Sequence, residues 1–138
     1  MVVLATLAQD GARRPIILLV EDHADTRAMY AEFLSAAFEV RQAPDGVAAL
    51  RSMGERRPDL IVTDLSLPGL DGFELVSRVR ADDALRHIPI ICLSGYGGHL
   101  YEERARNAGC DRLVQKPCLP DKLLTMADEL LRNRREVD

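Results

Sequence analysis

Leu60-Ile61-Val62-Thr63-Asp64-Leu65-Ser66-Leu67-Pro68-Gly69-Leu70-Asp71-Gly72 is the stretch that decides the fold. A short, mostly apolar run with three β-branched residues stops at an acid. A proline and glycine turn follows, and then an Asp-Gly pair that can open a helix. Three other runs behave alike. Ile16 to Val20 stops at Glu21-Asp22, Ile88 to Leu93 stops at Ser94, and Leu113-Val114-Gln115 stops at Lys116-Pro117. Short apolar runs that alternate with amphipathic stretches are the pattern of βα units around a parallel sheet.

The reading predicts five strands at about 16–20, 38–42, 59–63, 88–93 and 111–115. Helices are expected near 25–37, 45–54, 71–81, 98–108 and 120–133. Asp25 and Asp45 stand where helix caps belong, Gly109 suits the end of the fourth helix, and Pro120-Asp121 opens the fifth. Expected inward stripes are Met29, Phe33 and Ala37; Val47, Leu50 and Met53; Phe73, Val76 and Val79; and Leu123, Leu124, Ala127, Leu130 and Leu131. Right-handed crossovers then give an α/β doubly wound, five-stranded parallel sheet of the flavodoxin-like (βα)5 type, in strand order 2-1-3-4-5. The expected organisation is an N-terminal arm over 1–14, one domain over 15–133 and a charged tail over 134–138.

Composition narrows the function. The chain has 138 residues, 47% hydrophobic and 29% charged, with a net charge of -4. That suffices for one real core and supplies no basic face for nucleic acid. The apolar start, Met1 to Ala8, is too short to span a membrane and lacks the basic leader of a signal peptide. A cytoplasmic protein is expected. Lysines stand only at 116 and 122, among many arginines, which makes one at a strand end notable. The three cysteines, Cys92, Cys110 and Cys118, lack metal-ligand spacing and read as buried, reduced thiols.

In such a sheet, ligands sit beyond the carboxyl ends of the strands, where strand order reverses. The adjacent first and third strands bring Glu21, Asp22 and Asp64 together there. Three converging carboxylates repel one another unless a cation neutralises them. Mg²⁺, small and oxygen-loving, fits best, with Mn²⁺ as an alternative. Asp64 can also serve as a nucleophile that forms an aspartyl phosphate, with Lys116 as a second positive charge and the Ser94 hydroxyl on a phosphoryl oxygen. His23 is read as a surface histidine, since Mg²⁺ prefers oxygen. Gly95, Gly97 and Gly98 form a loop without the lysine and hydroxyl pair of a phosphate-binding P-loop.

The ordered set Glu21-Asp22, Asp64 with Pro68-Gly69 and Asp71-Gly72, Ser94, and Lys116-Pro117 resembles the receiver domain of two-component response regulators, from about Pro15 to Leu131. The resemblance implies that the acid pair and the acceptor Asp64 bind Mg²⁺ with help from the backbone carbonyl of Ser66. It implies that Ser94 and Lys116 contact the phosphoryl group. It also implies a phosphohistidine donor, on a sensor histidine kinase or a histidine phosphotransfer protein. The chain departs from the family at Glu21, where Asp is frequent; at Leu113, where many members carry a switch aromatic; and at Cys118, where Phe is common. Tyr96 lies where members vary in ways that affect dephosphorylation.

No output domain follows Asp138 in the sequence. Onward relay, contact with an unknown downstream protein, or an output domain outside the given sequence is therefore expected, with the helix 4, strand 5 and helix 5 face as the contact surface, also for a homodimer. Two other readings stand beside this one. An aspartyl-nucleophile phosphatase of the haloacid-dehalogenase type needs a second Asp where Ser66 stands, and places its motif on the first strand. A receiver-like interaction module that is never phosphorylated would fit Leu113 and Cys118 but has no use for the full acid, hydroxyl and lysine set.

Overall fold

Every strand of the computed structural model, which describes residues 13–137, runs in the same direction. The chain order is β1 (Ile16–Val20), α1 (Ala24–Leu34), β2 (Glu39–Ala43), α2 (Gly46–Glu55), β3 (Leu60–Asp64), α3 (Gly72–Ala81), β4 (Ile90–Ser94), α4 (His99–Ala108), β5 (Arg112–Gln115) and α5 (Pro120–Val137). The sheet order is β2-β1-β3-β4-β5, as the strand pattern requires. Residues 1–12 of the expected arm lie outside the described residues, as does Asp138.

The all-apolar runs become the strands covered on both faces: each residue of β1, β3 and β4 is buried. Alternation divides them between two cores. Ile17, Leu19, Leu60, Val62, Ile91 and Leu93 pack with Tyr30 and Leu34 of α1 and with Leu123, Ala127 and Leu131 of α5. Leu18, Val20, Ile61, Ile90 and Cys92 face the other way, onto Met53, Val76, Val79 and Ala105. A fully buried leucine in such a layer contributes about 2 kcal/mol through removal of its surface from water. Aspartates outside the sheet complete it, since Asp59 Oδ2 accepts from Ile16 N at 2.7 Å and Asp111 Oδ2 accepts from Ile90 N at 2.7 Å.

Several local expectations are corrected. Met29 and Phe33 are each 43% exposed, and α1 instead buries Tyr30, Ala31 and Leu34 before it ends at Leu34. The α1 cap is His23, whose Nδ1 accepts from Thr26 N at 3.3 Å, while Asp25 sits in the first turn. Val47 is exposed, and α2 packs through Ala49 and Met53. The last helix continues past 133 to Val137. Cys92 and Cys110 are joined in a disulfide, and Cys118 is the buried free thiol. The spacing rule missed that pair because it was made by the fold. The expected caps at Asp45 and Asp71 are present, with Oδ1 acceptors for Ala48 N at 2.8 Å and Glu74 N at 2.9 Å. Gly109 ends α4 at φ 114°, in the left-handed region that favours glycine.

Candidate functional site

Asp64 is the last residue of β3, and Glu21 and Asp22 follow the end of β1, its hydrogen-bonded neighbour. One carboxylate oxygen from each of Glu21, Asp22 and Asp64 lies within 4.8 Å of the others. Glu21 is 2% exposed and Asp64 5%, whereas Asp22 is open to solvent. The cluster thus has two carboxylates inside the protein and one open to solvent.

The loop after β5 delivers the counter-charge. Lys116 Nζ donates to Asp64 Oδ2 at 2.6 Å and to Glu21 Oε1 at 2.9 Å. Its backbone N–H donates to Ser94 O at 2.7 Å, which ties its position to the end of β4. The Lys116–Pro117 bond is cis. Burial pulls the Lys116 pKa down. The hydrogen bonds and charges of Asp64 and Glu21 together outweigh that effect, so the net shift is upward and the ammonium is held charged.

Further hydrogen bonds orient the acids. Asp64 Oδ1 accepts from Ser66 N at 3.0 Å, and Glu21 Oε2 accepts from His23 N at 3.1 Å. Arg27 Nη1 donates to the Glu21 carbonyl at 2.8 Å, a second positive charge behind the first acid. Sequence reasoning passed over both the His23 amide and Arg27. Their signal was closeness to the acid pair, read on a helix whose first turn folds back over it. Gly72 was read only as a helix opener, yet a Cβ there would collide with the Asp64 carbonyl and with Leu65 Cα. The glycine lets α3 begin directly against the acceptor strand.

The hydroxyl is placed differently from the charged groups. Ser94 is fully buried at the end of β4, one residue past the Leu93 that pairs with Asp64. Its Oγ donates to Tyr96 O at 2.8 Å and accepts from Tyr96 N at 3.0 Å. In this conformation the serine shapes the loop instead of touching the acids. Tyr96 is 66% exposed, with its ring 6.0 Å from that of Tyr101. Leu113 lines an open cavity of about 530 Å³ between α4 and β5, together with Tyr96, Cys110 and Gln115.

The acidic cluster suits a hard divalent cation. Its donors are carboxylate oxygens, and Lys116 alone cannot neutralise three acids. Glu21, Asp22 and Asp64 would hold the ion.

A doubly wound sheet with acids at the ends of β1 and β3 and a lysine after β5 defines a class of signalling domain, and comparison with known proteins agrees. The family described as the response regulator receiver domain matches residues 17–128, and the chain belongs to it. It is 34% identical over 102 residues to the polar-differentiation response regulator DivK of Brucella anthropi, across 73% of this chain and 83% of that protein. It is 42% identical over 90 residues to the sensor histidine kinase TmoS of Ectopseudomonas mendocina, across 65% of this chain but 9% of that much longer protein. The chemotaxis response regulator CheY4 of Vibrio cholerae superposes with a TM-score of 0.79 at 28% identity, covering 85% of this chain and 98% of that one. The fold and the two-component family are therefore those the strand-end residues implied. Among the described residues, no helix is long and apolar enough to cross a membrane.

Proposed function

We propose that this chain is a phosphoacceptor of a two-component phosphorelay, with Asp64 as the residue phosphorylated. The observation that carries the reading is the Asp64 carboxylate, grouped with those of Glu21 and Asp22 and bonded by Lys116 at 2.6 Å. A carboxylate oxygen of Asp64 attacks the phosphorus of a phosphohistidine. The P–N bond breaks, and the imidazole nitrogen leaves and takes a proton from solvent. Transfer of this kind depends mainly on position and charge neutralisation. Lys116 pairs with Asp64 and can turn toward a phosphoryl oxygen once the acid is phosphorylated. The Ser66 N–H holds the carboxylate rotamer. A bound Mg²⁺ supplies the remaining positive charge, held by Glu21, Asp22, Asp64 and the backbone carbonyl of Ser66; Mn²⁺ can substitute.

Ser94 becomes a phosphoryl ligand in this reading by leaving its bonds to the Tyr96 backbone, which makes the loop after β4 the first part to feel phosphorylation. The donor is a sensor histidine kinase or a histidine phosphotransfer protein. The output is contact with a downstream protein or onward relay through the face of α4, β5 and α5, where Leu100 is 82% and Leu119 65% exposed. A homodimer would use the same face. The protein acts in the cytoplasm as a signalling acceptor that catalyses only its own phosphorylation and dephosphorylation.

The test is direct. Incubation with a small acyl phosphate donor and Mg²⁺ should add the mass of one phosphoryl group, removable by hydroxylamine, and Asp64→Asn should abolish it. Label that persists in Asp64→Asn would remove Asp64 from this role.

A further inference from the structure

We propose that Cys92 and Cys110 form a reversible dithiol–disulfide site, entered at Cys110 by a small disulfide of the oxidised-glutathione type, whose state sets the mobility of the segment between them. The two thiols are separated by 18 residues in the chain and by 6.3 Å between Cα atoms, within the span a disulfide bridges. Their surroundings differ. Cys92 is fully buried in β4, whereas Cys110 is partly exposed and lines the cavity between α4 and β5. A small disulfide can therefore reach Cys110 first. The Cys110 thiolate attacks one sulfur of that disulfide, breaks its S–S bond and releases one small thiolate. The Cys92 thiolate then attacks the Cys110 sulfur of the mixed disulfide and releases the second. The protein loses two electrons, the small disulfide gains them, and the two protein thiol protons end on two small thiols.

The fold explains why such a bond acts locally. Reduction leaves the end of α4 anchored, because Cys110 N donates to Ala105 O at 3.1 Å and Arg80 Nε donates to Gly109 O at 2.9 Å. The rest of α4 is loosely held: Ala105 is its one buried residue, and its first turn hangs on Gly95, Gly97 and Gly98. Elements with so little buried surface open most easily. The disulfide closes a ring around that segment, from inside β4 to the end of the helix. Ser94 and Tyr96 lie within the ring. Cys118 cannot replace either partner, being buried after β5 with its sulfur on the Leu119 carbonyl.

The influence on Ser94 rests on the phosphoacceptor reading, but bond formation and segment mobility do not, so the experiment reads those two. Reduced protein treated with oxidised glutathione, then denatured and alkylated, should show Cys118 as its one remaining thiol and a peptide linking Cys92 to Cys110. Amide hydrogen exchange from Ser94 to Cys110 should slow about tenfold in the oxidised form. Three alkylated thiols after oxidation, or identical exchange in the two forms, would overturn the proposal. Cys110→Ser, a substitution at the partly exposed partner, should exchange like the reduced protein with or without oxidant; slowing by oxidant in that variant would also overturn it.

Discussion

Lys116 Nζ lies 2.6 Å from Asp64 Oδ2 and 2.9 Å from Glu21 Oε1, so one ammonium bridges an acid that ends β3 and an acid that follows β1. Both carboxylates are almost fully buried, and the lysine side chain is 27% exposed. Removal of one member of such a group leaves buried charge uncompensated. Lys116→Ala should therefore lower stability by about 3 kcal/mol without divalent ions, the low end of the usual range because the lysine is partly solvated. The same variant should gain more from millimolar Mg²⁺ than the wild type does, since the cation meets a more negative cluster. Thermal melts with and without Mg²⁺ check both statements; an equal or smaller Mg²⁺ shift in the variant would separate the lysine from the ion site.

Asp22 distinguishes the ion site from the structural acid–lysine group, because it is exposed while Glu21 and Asp64 are buried. Asp22→Asn should change stability without divalent ions by no more than about 0.5 kcal/mol, as is usual for a surface position. Its effect belongs to the ion. A cation that binds only the folded state at a hundred times its Kd stabilises by about 2.7 kcal/mol, and a lost carboxylate should cut that gain by half or more. A Mg²⁺ titration followed by melting temperature settles it, and an undiminished shift would locate the cation elsewhere.

Gly72 makes a prediction about backbone proximity. A Cβ at this position would contact the Asp64 carbonyl oxygen and Leu65 Cα, neither of which is a flexible side-chain end that could swing aside. Gly72→Ala should cost about 1–3 kcal/mol through overpacking and should displace the acceptor strand end. The same change should slow phosphorylation, whereas Gly54→Ala, at a position with open space, should do neither. Denaturant melts and labelling rates on both variants provide the comparison.

The parts of this fold legible in sequence were those governed by local chemistry. Apolar runs that end at a polar residue became β1, β3 and β4, and the turn residues Asp45, Asp71 and Gly109 sit where caps and glycine belong. Glu21, Asp22 and Asp64 converge because strand order alone brings their strand ends together. The parts that were not legible depend on contacts between distant segments. In α1, residues 29 and 33 and residues 30 and 34 both repeat at spacing four, so periodicity could not tell which row the sheet would cover. The Cys92–Cys110 bond depends on where α4 ends over β4. Arg80, one arginine among many, donates to the carbonyls of Gly109, Arg86 and Ile88 and to the Asp111 carboxylate, and no local pattern announced it. The Ser94 hydroxyl is expected on a phosphoryl oxygen, and no local pattern announced the turn at Tyr96 that holds it in this structure.

Tyr30 links the first helix to the loop beyond Lys116, and it carries a pH signature. Its hydroxyl donates to Cys118 O at 2.7 Å inside the core. Burial raises its pKa, with the nearby Cys118 thiol acting in the same direction. A phenol whose pKa is higher in the folded state than in the unfolded state contributes stability that is complete below the unfolded value, near pH 10, and is lost as pH rises through the folded value. Tyr30→Phe should cost about 1 kcal/mol at pH 7, the net value of one hydrogen bond, because Cys118 O loses its donor. The gap between wild type and variant should then narrow above pH 10, where the wild-type phenol ionises as it unfolds. Melting temperatures for both proteins from pH 7 to the alkaline limit of folding would reveal the convergence, and parallel curves throughout would mean that the phenol titrates alike in both states.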